Sequence, residues 1–309
     1  FNKWEAGQTL ALRTIERLML DSNADIKQFI DDFGIMIEQG LTVECDKALL
    51  ARALTLPAIP VISQVQTTID PAVIDKARTD ILKAIKRAHK GALEKLYKAN
   101  ANTGTFSLTP EAMGRRALQS IVLELLTVTN GTGCASRAKA HYEQSDNMTD
   151  RIAALASLTD STKPERDEVF ADFYKRYKEY PLVIDKWFSM QAMANRASIF
   201  EDFEHLRNHK DFNIKNPNRV RSLYSIFAIN NPVKFHDPSG KGYTILRDAI
   251  IELNAINPQI ASRMVTPLRE WNRYTPALQA LMKQTLQSIL DTPKLSNDVF
   301  ELVNKCLNS

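Results

Sequence analysis

Apolar residues recur along the chain at steps of three and four. Ile74, Ala77, Ile81, Ala84, Ile85, Ala88, Ala92 and Leu96 form one such series, which predicts a helix with a single apolar stripe over 71–99. Asp70 and Pro71 open it, because aspartate can cap free N–H groups and proline suits the first helical position. Met113, Ala117, Ile121 and Leu125 repeat the pattern after Thr109-Pro110. Thr162-Lys-Pro-Glu165 has the form of a capping box and is followed by Val169, Phe170, Phe173 and Tyr177; Ser198-Ile-Phe-Glu201 has the same form. Asn216-Pro217, Asn231-Pro232, Asn257-Pro258 and Thr275-Pro276 each set a cap residue before a proline and predict four further helix starts. Segment 57–69 is open between a short helix broken by Pro60 and an extended connector. Sustained two-residue alternation is missing, so no sheet is predicted.

Short helices in series, joined by short connections, predict an all-α fold. No sequence repeat of fixed period is present, so the expected architecture is an irregular α-solenoid of stacked helix pairs, a superhelix of the HEAT or armadillo kind. No long polar linker divides the sequence, and residues 1–309 are expected to form one domain. Glycine is scarce, 10 in 309 residues against about 20 at average usage, as suits a chain with few tight turns.

Charge changes this picture little. Forty Lys and Arg against 36 Asp and Glu leave a net +4, too mild to argue for a nucleic-acid or membrane partner. No apolar run approaches the ~18 residues of a membrane span. Cys45, Cys134 and Cys306 are far apart and form no CxxC; free thiols in a reducing compartment, and hence a cytoplasmic location, are expected. The opening Phe1-Asn-Lys-Trp4 is neither an initiator Met nor a signal peptide, and a piece of a longer protein is expected.

Candidate chemistry is sparse. His205-Leu-Arg-Asn-His209 sets two histidines four apart, with Glu201 one turn earlier, a spacing like the zinc-binding half of HExxH. Leu206 stands where the water-activating Glu would be, and no third ligand follows at a recognisable spacing. Solvated or locally bonded histidines are therefore expected, with no metal site in this chain. There is no G-x-S-x-G, and Ser239-Gly-Lys-Gly242 lacks the rest of a phosphate-binding loop, so no catalytic residue is assigned.

The stretch 207–221 is more informative. It carries Arg207, Lys210, Lys215, Arg219 and Arg221 against Asp211 alone. The proline start at 217 puts the arginines in the first turn of a helix, where the dipole opposes cations and free N–H groups favour an anion such as a carboxylate. Val220, Leu223, Tyr224 and Phe227 form the apolar stripe. Arg221 lies about 100° around from Val220, facing either a cavity beside the packed face or solvent. Arg263 sits on the helix opened by Asn257-Pro258, four residues before Pro267, whose missing N–H predicts a kink.

Asn216-Pro-Asn-Arg-Val-Arg221-Ser, then Asn257-Pro-Gln-Ile-Ala-Ser-Arg263 and Pro267-Leu, resemble the C-terminal helical domain of the aminopeptidase N family, the bacterial-type M1 zinc metallopeptidases. Phe1-Asn-Lys-Trp4, Asn147-Met-Thr-Asp150, Asp185-Lys-Trp-Phe188, and Phe235-His236 with Gly242-Tyr243 match in the same order, so the resemblance covers essentially the whole chain. It implies an upstream catalytic domain, absent here, with zinc on an HExxH helix, a GxMEN segment for the substrate amine and a Tyr for the transition state. The zinc would polarise the scissile carbonyl and the HExxH Glu would activate water.

For this chain the resemblance implies a wall rather than a centre: a helical domain that closes an internal chamber, limits access and is inactive alone. Arg221 and Arg263 match arginines that face the chamber and would bind the carboxylate end of a peptide. Peptides and the catalytic domain of the same polypeptide are the implied partners. The competing expectation is a free-standing helical-repeat scaffold that binds a protein or peptide on its concave face.

Overall fold

The proline-marked starts are where the helices begin. The computed structural model describes residues 2–42, 44–102 and 104–308. Among them the chain is helical throughout, and one isolated bridge is its only β pairing. Helices open at Pro71, Pro110, Pro164, Pro181, Pro217, Pro232, Pro258 and Pro276. Asn147, Asn216, Asn231 and Asn257 each accept a backbone N–H from the first turn of the helix they precede. Neither predicted capping box forms as written. The Ser198 hydroxyl donates to Asp202 at 2.9 Å, and ahead of Pro164 it is Ser161, not Thr162, that accepts a backbone N–H, from Lys163 at 3.2 Å.

The stripe of the Pro71–Ala99 helix holds with one interruption, at Ala88. Ile74, Ala77, Ile81, Ile85 and Leu96 are buried and Ala84 and Ala92 half-buried, but Ala88 is exposed and Leu93 is buried beside the expected positions. The helix breaks at His89, whose φ of −119° and ψ of 21° lie outside the helical well. The His89 ring fills the space a Cβ would take on Gly34, and its Nε2 lies 2.8 Å from the Ile30 carbonyl. The stripe predicted after Pro110 is corrected. Leu125 is buried as expected and Ile121 half-buried, but Met113 and Ala117 are exposed, and Ala112, Leu118, Val122 and Leu126 complete the buried face. Gly114 is the cause: a Cβ there would stand 3.1 Å from the Ala48 nitrogen, so the Lys47–Ala53 helix approaches on the glycine side and turns that face inward.

The chain divides into two compact units, Phe1–Val65 with Val73–Asp172, and Gln66–Ala72 with Phe173–Ser309. The first has an aliphatic core that includes Ile15, Ile37, Ile74, Ile81, Leu118 and Leu155. The second is built around aromatic rings: Phe203 lies 5.1 Å from both Tyr224 and Phe227, and Phe235 lies 5.2 Å from Tyr243. Segment 57–69 holds a short helix followed by an extended stretch, and Pro60 does not break the helix as expected. Pro60 sits in the first turn of the Ile59–Val65 helix, where it is tolerated. Ile69 is then extended, donating its N–H to the Arg273 carbonyl at 2.7 Å. No helix among the described residues is long and apolar enough to cross a membrane.

Phe235-His236 and Gly242-Tyr243 are a single packing unit. His236 Nδ1 lies 2.8 Å from the Tyr243 hydroxyl, and its ring stacks on Tyr274 at 4.3 Å. A Cβ on Gly242 would collide with the Phe235 carbonyl. Gly242→Ala is therefore expected to destabilise the fold by ~1–3 kcal/mol, as overpacking does. Gly91→Ala, at an open helical position, should stabilise it by up to ~1 kcal/mol. Thermal unfolding of the two variants should shift in opposite directions; equal shifts would contradict this packing.

Burial pushes the His236 imidazole down to about 3. Its folded pKa is depressed below the ordinary 6.5, so the unfolded chain binds the proton first. The stability this contributes is present above pH 6.5 and is lost as pH falls from there towards 3. His141 and His209 are lowered by burial as well and add to the same limb. Denaturant titrations across this range should show stability falling with acid, and His236→Gln should flatten the slope.

Candidate functional site

The helical run opened by Pro217 is not a regular α-helix. Residues Pro217–Val220 are α, Arg221–Ser225 form a π turn, and Ile226–Asn230 are α again. A π turn inside an α-helix is rare and frequently found at functional sites. The Asn216 side chain caps the run, accepting from the N–H groups of Asn218 at 3.0 Å and Arg219 at 3.4 Å. Val220, Leu223, Tyr224 and Phe227 are all buried, as their spacing predicts.

Arg221 opens the π turn. It is exposed, and its Nη1 makes one long contact, 3.4 Å to Asn218 Oδ1. No carboxylate of the described residues pairs with it. Arg221 lies five residues past its cap, at the start of the second turn, so the expected place in the first turn is corrected. The dipole penalty that goes with that place is smaller here. Arg263 is the last residue of the Pro258–Arg263 helix, is exposed and has no ion-pair partner among the described residues. The predicted kink is a full stop: the helix ends at Arg263, and Pro267 lies inside the short 3-10 turn Thr266–Leu268. A cation at a helix C-terminus is favoured by the dipole.

Arg219 shares the basic stretch with Arg221, but its position in the fold is a different one, which the run of charges does not reveal. Arg219 is buried, with 6% of its surface exposed. Its Nη1 lies 3.1 Å from Asp185 Oδ1 and its guanidinium covers the Phe188 ring at 4.9 Å. The signal was available in Asp185-Lys-Trp-Phe188: an acid and an aromatic one turn apart on one helix face make a seat for a guanidinium.

The HxxxH pair is not a ligand pair in this fold. The Ile199–Arg207 helix ends before His209, so the two histidines do not share a helical face. His209 turns into an aromatic cluster, 5.1 Å from Tyr174 and 5.2 Å from Trp187, and its Nδ1 accepts the Asp211 N–H at 3.2 Å. Burial pushes its pKa down. His205 instead lines a surface groove of about 590 Å³ with Glu201, Glu204 and Lys241. Among the described residues no group of three His, Cys, Asp or Glu lies where it could hold a metal ion. Cys45, Cys134 and Cys306 are free thiols.

Over residues 1–308 the chain matches the family described as "Domain of unknown function (DUF3458_C) ARM repeats". It is 36% identical to the protein named Aminopeptidase N of Caulobacter vibrioides, over 99% of this chain and 36% of that protein. It is 30% identical to Aminopeptidase N of Escherichia coli, over 99% of this chain and 35% of that protein. The chain thus spans about a third of the length of these relatives. A crystal structure of Legionella pneumophila aminopeptidase A in complex with aspartic acid superposes with a TM-score of 0.90 at 26% identity, covering 100% of this chain and 37% of that one. With helices in series, no sheet among the described residues and a family match over residues 1–308, the chain belongs to the DUF3458_C family of ARM-repeat domains, and it is similar over 99% of its length to a region of proteins named Aminopeptidase N.

Proposed function

We propose that this chain is the part of a zinc-dependent aminopeptidase that shapes an internal cavity, limits access to it and orients the peptide whose N-terminal residue is removed. The observation that carries the reading is the state of Arg221: exposed, set at a π turn and free of any carboxylate among the described residues. A guanidinium in that state has its donor fork open to a carboxylate, which is what the far end of a short peptide supplies. Arg263 offers a second such fork. The match across the chain but only 36% of the first relative supports placing the zinc centre elsewhere in the polypeptide. The isolated domain is then catalytically inactive. Peptides and the catalytic domain of the same polypeptide are its partners, and the enzyme is cytoplasmic.

A charged hydrogen bond to a substrate is worth about 1.5–3 kcal/mol. In the full-length enzyme, Arg221→Ala should lower kcat/KM for a peptide with a free carboxylate by about tenfold or more. It should affect turnover of a small amino-acid amide, which has no such carboxylate, far less. Steady-state kinetics on the two substrates decides it: equal losses would remove Arg221 from substrate orientation.

A further inference from the structure

The π turn that presents Arg221 is held from both ends by the neighbouring helix Pro181–Ala192 and the residues just past its C-terminus. At the front, Arg219 is anchored to Asp185 at 3.1 Å and lies over Phe188. At the back, Asn231, 3% exposed, donates from its amide to the carbonyls of Ala192 at 3.0 Å and Ala194 at 2.9 Å. Between the anchors the Ser222 hydroxyl donates to the Arg219 carbonyl at 2.9 Å.

A π turn carries one residue more than an α turn needs, so everything before it is rotated by about 100° relative to everything after it. A run free at one end could expel that residue and return to the α register. This run is pinned at both ends by buried polar groups, and changing the register would pull Arg219 off Asp185 or Asn231 off its two carbonyls.

The front anchor is poorly made for stability alone. Arg219 Nε and Nη1 and Asp185 Oδ1 are buried without a well-directed hydrogen bond. A buried ion pair with incomplete hydrogen bonding adds little net stability, and fixing a register is the best-attested use of such a pair. We infer that Asp185 and Arg219 are positioning residues that lock the π register and thereby set the direction in which Arg221 faces. This deepens the reading of Arg221 as a substrate-orienting residue and rests on it.

The test uses the full-length enzyme with Asp185→Asn, Arg221→Ala and the double variant. Two readings are taken: a crystal structure of Asp185→Asn, and kcat/KM for a carboxylate-bearing peptide and for an amino-acid amide. Loss of the π turn in Asp185→Asn supports the lock; its retention overturns it, whatever Arg221 does. For the peptide, Asp185→Asn should reduce kcat/KM by about tenfold alone and by little once Arg221 is already Ala, the signature of coupled residues. Losses that multiply in the double variant would show that Asp185 does not act through Arg221. If the π turn is lost but Arg221→Ala leaves peptide turnover unchanged, the lock stands and the orienting role of Arg221 fails. Should Asp185→Asn not fold, Arg219→Lys takes its place, keeping the charge while removing the planar face on Phe188, and the same outcomes decide.

Discussion

A proline can open a helix but cannot continue one, and that constraint sets the division of this chain into elements. Eight helices begin on a proline, and five polar side chains, those of Asp70, Thr109, Asn216, Asn231 and Asn257, cap such a start. With the starts fixed, each helix must bury one stripe against its neighbours, because a short helix is not stable on its own. In the second unit the stripes meet as aromatic rings, Phe203 with Tyr224 and Phe227, Phe235 with Tyr243. Where two backbones come closest the chain uses glycine, Gly114 against Ala48 and Gly242 against Phe235, and Gly34 makes room for the His89 ring.

Within that frame two arginines two residues apart have opposite fates. Arg219 is buried on Asp185 and Phe188, while Arg221 stays exposed with only Asn218 in reach. On a regular helix, side chains two apart point about 200° from each other. One can therefore serve the interior and the other the surface. The π turn begins at Arg221, at the junction between the two roles. The surface arginine has its direction set by the buried one, and the functional reading of the domain depends on this coupling between packing and presentation.

Helix starts, the absence of sheet and the stripe of Val220, Leu223, Tyr224 and Phe227 were legible in the sequence because they depend on local rules. What was not legible depends on partners distant in the chain. The break at His89 follows from Gly34, more than fifty residues earlier, and the inward turn at Gly114 follows from Ala48. Met113 was expected to be buried and is 53% exposed, since a one-residue rotation of a helix leaves its periodicity unchanged. The π turn has no composition signal of its own. The paired motif Phe235-His236 and Gly242-Tyr243 was visible as a resemblance, and its reason, the contact of His236 with Tyr243 and of Gly242 with the Phe235 carbonyl, needed the fold.

The proposed role of Arg221 and Arg263 puts a peptide's carboxylate end on this domain. The most direct measurement is a crystal structure of the full-length polypeptide with a peptide bound in an uncleaved state. The peptide carboxylate is expected within hydrogen-bond distance of the Arg221 or Arg263 guanidinium, with the π turn at 221–225 intact. A carboxylate bound elsewhere, with both arginines facing bulk solvent on the outer surface, would contradict it.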